Sequence, residues 1–300
     1  MLMPPLAPSG ELQLLSPLEQ YDVNIDHMDF HYSLRKGDGA TSDRATIIVP
    51  GFYGIESGYA DLRDNLALSG MTTVTLGQPR KHDLWHPRLN RLMNPGNILA
   101  KTVWGTMRDL SEQHSITEFD LLCHSNGGPV GTNAAEHVMI TKPRPNIKVK
   151  SVTLCASAGV TNDSGIGVGP MVVPHLCEEL IENRRVLSDT LASSDYLTKV
   201  VEEIIKYSTC LRILSEAVSA NRCDVKARVE RLGKASVATA GLFFVADRLF
   251  RAAEAEKNLT PIVDAFSVMD DPSLAGHLAT WLYPKEVAAS YLDLRAELAA

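Results

Sequence analysis

The chain has 300 residues, 45 % hydrophobic and 22 % charged, which is enough apolar material for one large domain or one domain carrying an insertion. Its formal net charge of −7 argues against a broad electrostatic footprint for nucleic acid, and short basic pairs such as Arg80-Lys81 and Arg184-Arg185 read as solvated surface. Five cysteines (Cys123, Cys155, Cys177, Cys210, Cys223) without CxxC spacing fit reduced thiols in a cytoplasm better than a disulfide framework or a zinc site.

The amino-terminal stretch is broken by three prolines and lacks a basic leader, so no signal peptide is expected. No apolar run is long enough to span a bilayer; the best, around 237–246, is too short. Residues 21–34 alternate apolar and polar side chains, which predicts half-buried strands, and Lys36-Gly37-Asp38-Gly39 supplies turn chemistry. The continuous apolar run at 45–49 predicts a strand buried on both faces. Residues 61–70 read as a helix stopped by Gly70, and 71–77 as another buried strand. Such a strand–helix–strand unit implies parallel pairing with a right-handed crossover.

A polar loop over 78–97 precedes a helix at 98–114, a strand at 119–124, a helix at 128–140 and a strand at 149–158. The rhythm then changes. Helical patterns at 175–187, 194–207 and 211–220 follow one another without strands, and the strand pattern resumes at 236–246 and 261–269 before a last helix at 284–298. The expected fold is α/β, a mostly parallel doubly wound sheet. Its core would comprise residues 1–160 and 235–300, with a helical insertion at 161–234.

Chemistry concentrates where strands end. A serine hydroxyl attacks well only when a base takes its proton and donors stabilise the developing oxyanion. Ser125 lies in Cys123-His124-Ser125-Asn126-Gly127-Gly128, between an apolar strand and a glycine-started helix. On such a sharp turn Oγ is exposed at the sheet edge, and residues two before and two after must be small. Pro50-Gly51-Phe52 ends an earlier strand, where a loop can present a backbone N–H. Asp247 follows the strand at 236–246; it is placed to orient a histidine or, alone, to cap the following helix. His277 lies in the loop after the last strand, with Asp270 and Asp271 as rival acids nearer in sequence. His124 is expected to point away from Ser125. GIGVG (165–169) precedes Pro170 instead of opening a helix after a strand, so no dinucleotide and no other cofactor or metal is expected.

Taken together, Pro50-Gly51-Phe52, the stretch 123–128, Ala246-Asp247-Arg248-Leu249 and Gly276-His277 resemble the α/β-hydrolase family, and the likeness covers nearly the whole chain. The resemblance implies an eight-strand sheet with a cap after the sixth strand. It also implies Ser125 as nucleophile, His277 as general base and then acid, Asp247 as its orienter, and the backbone N–H groups of Phe52 and Asn126 as the oxyanion hole. Cys123 in place of the first glycine and Pro50 in place of the usual histidine mark a divergent branch. Serine rather than aspartate at the nucleophile argues against epoxide and haloalkane hydrolases.

The implied activity is hydrolysis of a small-molecule carboxylic ester or thioester through an acyl-enzyme. Leu176, Leu180, Tyr196, Val200 and Ile204 are candidates for lining an enclosed pocket. The alternatives are a carbon–carbon bond hydrolase, peptidase or lyase on the same triad, or a non-catalytic protein that binds a small ligand.

Overall fold

The computed structural model describes residues 15–25, 28–40, 43–51, 56–77, 95–141, 146–161, 223–271, 273–274 and 276–300, with the single positions 175, 178, 179 and 182. β1 (Glu19–Ile25) and β2 (Met28–Arg35) form an antiparallel hairpin in which Tyr21 faces Tyr32. Then follow β3 (Arg44–Val49), a 3-10 turn (Glu56–Tyr59) running into α1 (Ala60–Leu68), β4 (Thr73–Leu76), α2 (Pro95–His114), β5 (Glu118–His124) and α3 (Gly127–Thr141). The described remainder is β6 (Lys148–Cys155), α4 (Val225–Lys234), β7 (Ala238–Phe244), α5 (Ala252–Leu259), β8 (Ala265–Met269), α6 (Ala279–Leu282) and α7 (Pro284–Leu298).

The eight strands make one sheet in the order β1-β2-β4-β3-β5-β6-β7-β8, parallel from β4 onward. Because side chains alternate across a strand, the apolar runs of β3 and β5 supply two cores. Ile47, Val49, Leu121 and Cys123 face α2, α3, α4 and α5, whereas Ile48 and Leu122 face α1 and α7. That double coverage is why these strands read as continuous rather than alternating hydrophobic runs. The registers Val49↔Cys123, Cys123↔Leu154, Cys155↔Leu242 and Phe244↔Met269 keep the strand ends level. Residues that follow β3, β5 and β7 therefore lie along one edge. The chain runs from β3 to β4 on one side and to β5 on the other, so the crevice of an open α/β sheet falls at the ends of β3 and β5.

Two expectations are revised. Residues 261–264 do not extend β8, which begins at Ala265; Ile262 and Val263 instead donate their N–H groups to Leu259 O and close the end of α5. The helix α4 falls inside the span expected to be an insertion, yet Val225, Val229 and Leu232 are buried in the core with α3 and β7. Its spacing of i, i+4 and i+7 is that of a half-buried helix, and the Asp224 side chain caps it by accepting from Ala227 N–H at 3.0 Å. The helices expected at 175–187, 194–207 and 211–220 lie largely or wholly outside the described residues; positions 175, 178, 179 and 182 are helical. Among the described residues no helix is long and apolar enough to cross a membrane.

Candidate active site

The turn between β5 and α3 carries the first group. Ser125 has φ +55°, in the left-handed region that a side-chain-bearing residue seldom occupies. Hydrogen bonds impose that geometry: Ser125 N–H donates to Cys155 O at 3.0 Å, and Ser125 O accepts from Gly128 N–H and Ala158 N–H. Packing permits the turn only with small neighbours, since a Cβ on Gly127 would stand 2.3 Å from Val49 O.

The same packing explains the departure at Cys123. Its Sγ occupies the space that a side chain at position 131 would need, 2.2 Å from where a Gly131 Cβ would lie. The glycine required for close approach has in effect moved to the first turn of α3. Burial pushes the Cys123 thiol pKa up, so this cysteine is a packing residue and not a rival nucleophile.

His277 and Asp247 arrive from loops after β8 and β7. His277 Nε2 is 2.9 Å from Ser125 Oγ, and Nδ1 is 3.0 Å from Asp247 Oδ2. All three residues are buried. Asp247 does two jobs with two oxygens: Oδ1 accepts from Leu249 N–H and Phe250 N–H, which folds its own loop, and Oδ2 is left for the imidazole. The capping of α5 considered from sequence is absent, because Arg251 stands at that position. Asp270 and Asp271 are both exposed, and Asp271 is engaged by Ser273 N–H and Oγ.

Burial disfavours the charged form of His277. The charge and hydrogen bond of Asp247, helped by the charge of Glu179, outweigh it, and the pKa lies above the ordinary histidine value. A hydroxyl donating to Nε2, with Nδ1–H donating to a carboxylate, is the arrangement that lets an imidazole take a proton from serine and remain stabilised as imidazolium.

Three residues around this run were not recognised from sequence. The His124 ring is buried and doubly bonded: Nε2 lies 3.0 Å from His277 O and Nδ1 2.7 Å from Tyr59 Oη. A carbonyl only accepts, so Nε2 carries the hydrogen. Burial, with the nearby charge of His277, holds the pKa of His124 well below the ordinary value, so the ring is neutral and Tyr59 donates to Nδ1. Tyr59 Oη in turn accepts from Gly51 N–H at 3.1 Å. One polar chain thus ties the backbone after β3 to the backbone of His277. Glu179 contacts the same loop by accepting from His277 N–H. No sequence motif joins residues 51, 59, 124, 179 and 277; only the position of His124 beside Ser125 was a signal.

Asn126 is buried on the turn immediately before α3, where its backbone N–H belongs to the positive end of that helix. Phe52, Leu176, Leu180, Tyr196, Val200, Ile204 and the 165–169 stretch lie outside the described residues. A small apolar cavity of about 20 Å³ adjoins the strand ends, lined by Val49, Pro50, Leu76, Leu99, Val103 and Val130 among others. Among the described residues no cluster of His, Cys, Asp or Glu is arranged to hold a metal ion.

No protein-family model matches the sequence, and no curated relative does. Solved structures match over nearly the whole chain. The enol-lactonase from Burkholderia xenovorans LB400 shares 16 % identity at a TM-score of 0.60, covering 92 % of this chain and 100 % of that one. A thermophilic esterase from Thermogutta terrifontis shares 13 % at 0.60, covering 94 % and 99 %. A bromoperoxidase from Bacillus anthracis shares 11 % at 0.60, covering 93 % and 100 %. An alpha/beta hydrolase enzyme from a Medee basin deep-sea metagenome library shares 15 % at 0.61, covering 92 % and 97 %. With the sheet order and level strand ends described above, these likenesses establish that the chain has the α/β-hydrolase fold.

Proposed function

We propose that the protein is a serine hydrolase that cleaves a carboxylic ester or thioester through an acyl-enzyme. The observation that carries this reading is the hydrogen-bonded run Ser125 Oγ–His277–Asp247, with Ser125 held at left-handed φ at the carboxyl edge of the sheet. In this mechanism His277 Nε2 takes the hydroxyl proton as Oγ attacks the substrate carbonyl. The carbonyl π pair moves onto oxygen, and the oxyanion is met by the backbone N–H groups of Phe52 and Asn126. Collapse expels the alcohol or thiol, which takes the proton from His277. Water then repeats the sequence on the acyl-enzyme, releasing the acid and restoring Ser125. Asp247 orients the ring and stabilises the imidazolium.

Neighbours described as an esterase and an enol-lactonase support ester chemistry, a lactone being a cyclic ester. The segment between β6 and α4 is read as the cap over the site, with α4 counted in the core. A cytoplasmic setting is supported by Cys123, Cys155 and Cys223 being free thiols.

The test is intact-mass spectrometry after treatment with a fluorophosphonate, followed by an ester and thioester panel. One adduct on the parent, lost in Ser125→Ala and His277→Ala, is expected. An adduct that survives Ser125→Ala, or full ester turnover by that variant, overturns the reading.

A further inference from the structure

The loop that carries His277 is gripped by a carboxylate from a distant part of the chain. Glu179 Oε1 accepts from His277 N–H at 2.6 Å, and Oε2 accepts from Leu278 N–H at 3.1 Å. Two oxygens on two successive N–H groups fix the backbone in both position and tilt, since charge-assisted bonds of this kind are short and directional. The approach has been cleared for it. A Cβ on Gly276 would stand 2.4 Å from Glu179 Oε1 and 2.4 Å from Ala246 O, so any larger residue there displaces the carboxylate or the backbone after β7.

The other bonds of His277 complete the picture. Its carbonyl accepts from His124 Nε2–H, its Nδ1 faces Asp247 and its Nε2 faces Ser125. Every polar atom of the residue therefore has a partner, and Glu179 supplies the one for the N–H. Glu178 and Glu182, helical like Glu179, reach Arg248 at 3.4 and 3.6 Å, and Arg248 directly follows Asp247. These outer ion pairs are exposed and contribute little by themselves. They do place Glu178 and Glu182 against the acid loop while Glu179 holds the histidine loop.

We propose that Glu179 is a positioning residue for His277: it fixes the histidine loop and sets a second negative charge beside the imidazole, so that activation of Ser125 depends on Glu179 being docked against the backbone of His277 and Leu278. The proposal rests on Ser125 being the nucleophile. Among the described residues Asp247 and Glu179 are the carboxylates facing His277, His124 is a neutral neighbour, and Arg248, Glu178 and Glu182 form the outer ring of charge. Burial raises the pKa of Glu179, Asp247 adds to the rise, and His277 opposes it. Ionised Glu179 is thus favoured most when His277 is charged, the state that follows serine attack.

The test uses the full chain. His277 is titrated by NMR of its ring signals in the parent, Glu179→Gln and Glu179→Ala, and the rate of fluorophosphonate labelling at Ser125 is measured in each. Removing the charge in Glu179→Gln is expected to move the His277 pKa down by about half a pH unit. Labelling should slow about tenfold in Glu179→Gln, which keeps one acceptor, and roughly a hundredfold in Glu179→Ala, which leaves the loop free to shift. Gly276→Ala, which presses on both the carboxylate and the backbone before Asp247, should slow labelling at least as much as Glu179→Ala. A His277 titration and a labelling rate that stay unchanged in folded Glu179→Gln overturn the proposal, while Ser125-dependent labelling of the parent leaves the acyl-enzyme reading standing. A parent that takes no probe on Ser125 removes that reading, and the titration then decides the placement of Glu179 by itself.

Discussion

Asp120 on β5 and Asp247 after β7 are both removed from water, at 0 % and 3 % exposure, but their surroundings differ in charge. Asp120 receives two bonds from Arg44 at 2.8 and 2.7 Å, one from Arg295 at 3.2 Å and one from Ser151 Oγ at 2.6 Å. Two guanidinium groups more than neutralise one carboxylate, so nothing remains for a further cation. Asp247 is satisfied on one oxygen by uncharged backbone N–H groups, and its charge is left uncompensated until an imidazolium forms. A buried carboxylate is made structural or reactive by its counter-charge, with burial common to both. Position follows the same division: Asp120 lies within the strand, whereas Asp247 lies past the strand end where the site is assembled.

Exchanging each carboxylate for an amide separates the two most sharply. Asp247→Asn is expected to lower kcat by roughly 10⁴, because the amide can donate to Nδ1 and select the wrong tautomer of His277. In the parent, kcat/KM should fall as pH drops through the His277 pKa, which lies above about 6.5. The stability that this histidine contributes runs the other way. It is fully present below the unfolded value and is lost as pH rises through the raised folded value. Thermal melting and rate profiles recorded on the same samples would show both trends, and a parent whose acid limb is unmoved by Asp247→Asn would break the pairing.

Asp120→Asn should instead cost about 3 kcal/mol in urea denaturation, with the labelling rate per folded molecule unchanged. A loss of labelling without loss of stability would erase the distinction drawn here. Gly131→Ala is expected to cost about 2 kcal/mol by pushing on Cys123 Sγ. The double variant with Cys123→Gly should recover most of it; failure to recover would show that the two positions do not share one space. Tyr59→Phe leaves Gly51 N–H and His124 Nδ1 without the phenol between them. About 1 kcal/mol of stability should be lost, with a few-fold drop in labelling rate.

Much of this molecule is written locally. The buried strands at 45–49 and 119–124 each declare themselves by a continuous apolar run, and the turn after β5 by small residues around Ser125. Chain order and the rule that parallel strand ends share an edge were enough to group Ser125, Asp247 and His277. The strand expected from 261 starts only at Ala265, because Ile262 and Val263 are spent on closing α5, and α4 is hard to read because its three buried apolar residues are sparse in a charged stretch.

The contacts between separate pieces of chain are legible only in three dimensions. Asp247, and neither Asp270 nor Asp271, lies against His277, because the loop after β7 folds on its own Oδ1 and turns the other oxygen inward. His124 turned from a bystander into a link between Tyr59 and His277, and Glu179 reached the histidine loop across 98 residues of sequence. Most strand positions, the sharp turn and the order of the reacting groups are local features, since backbone sterics and hydrophobic periodicity act over a few residues. The partners of each polar atom depend on distances through space, which no local pattern encodes.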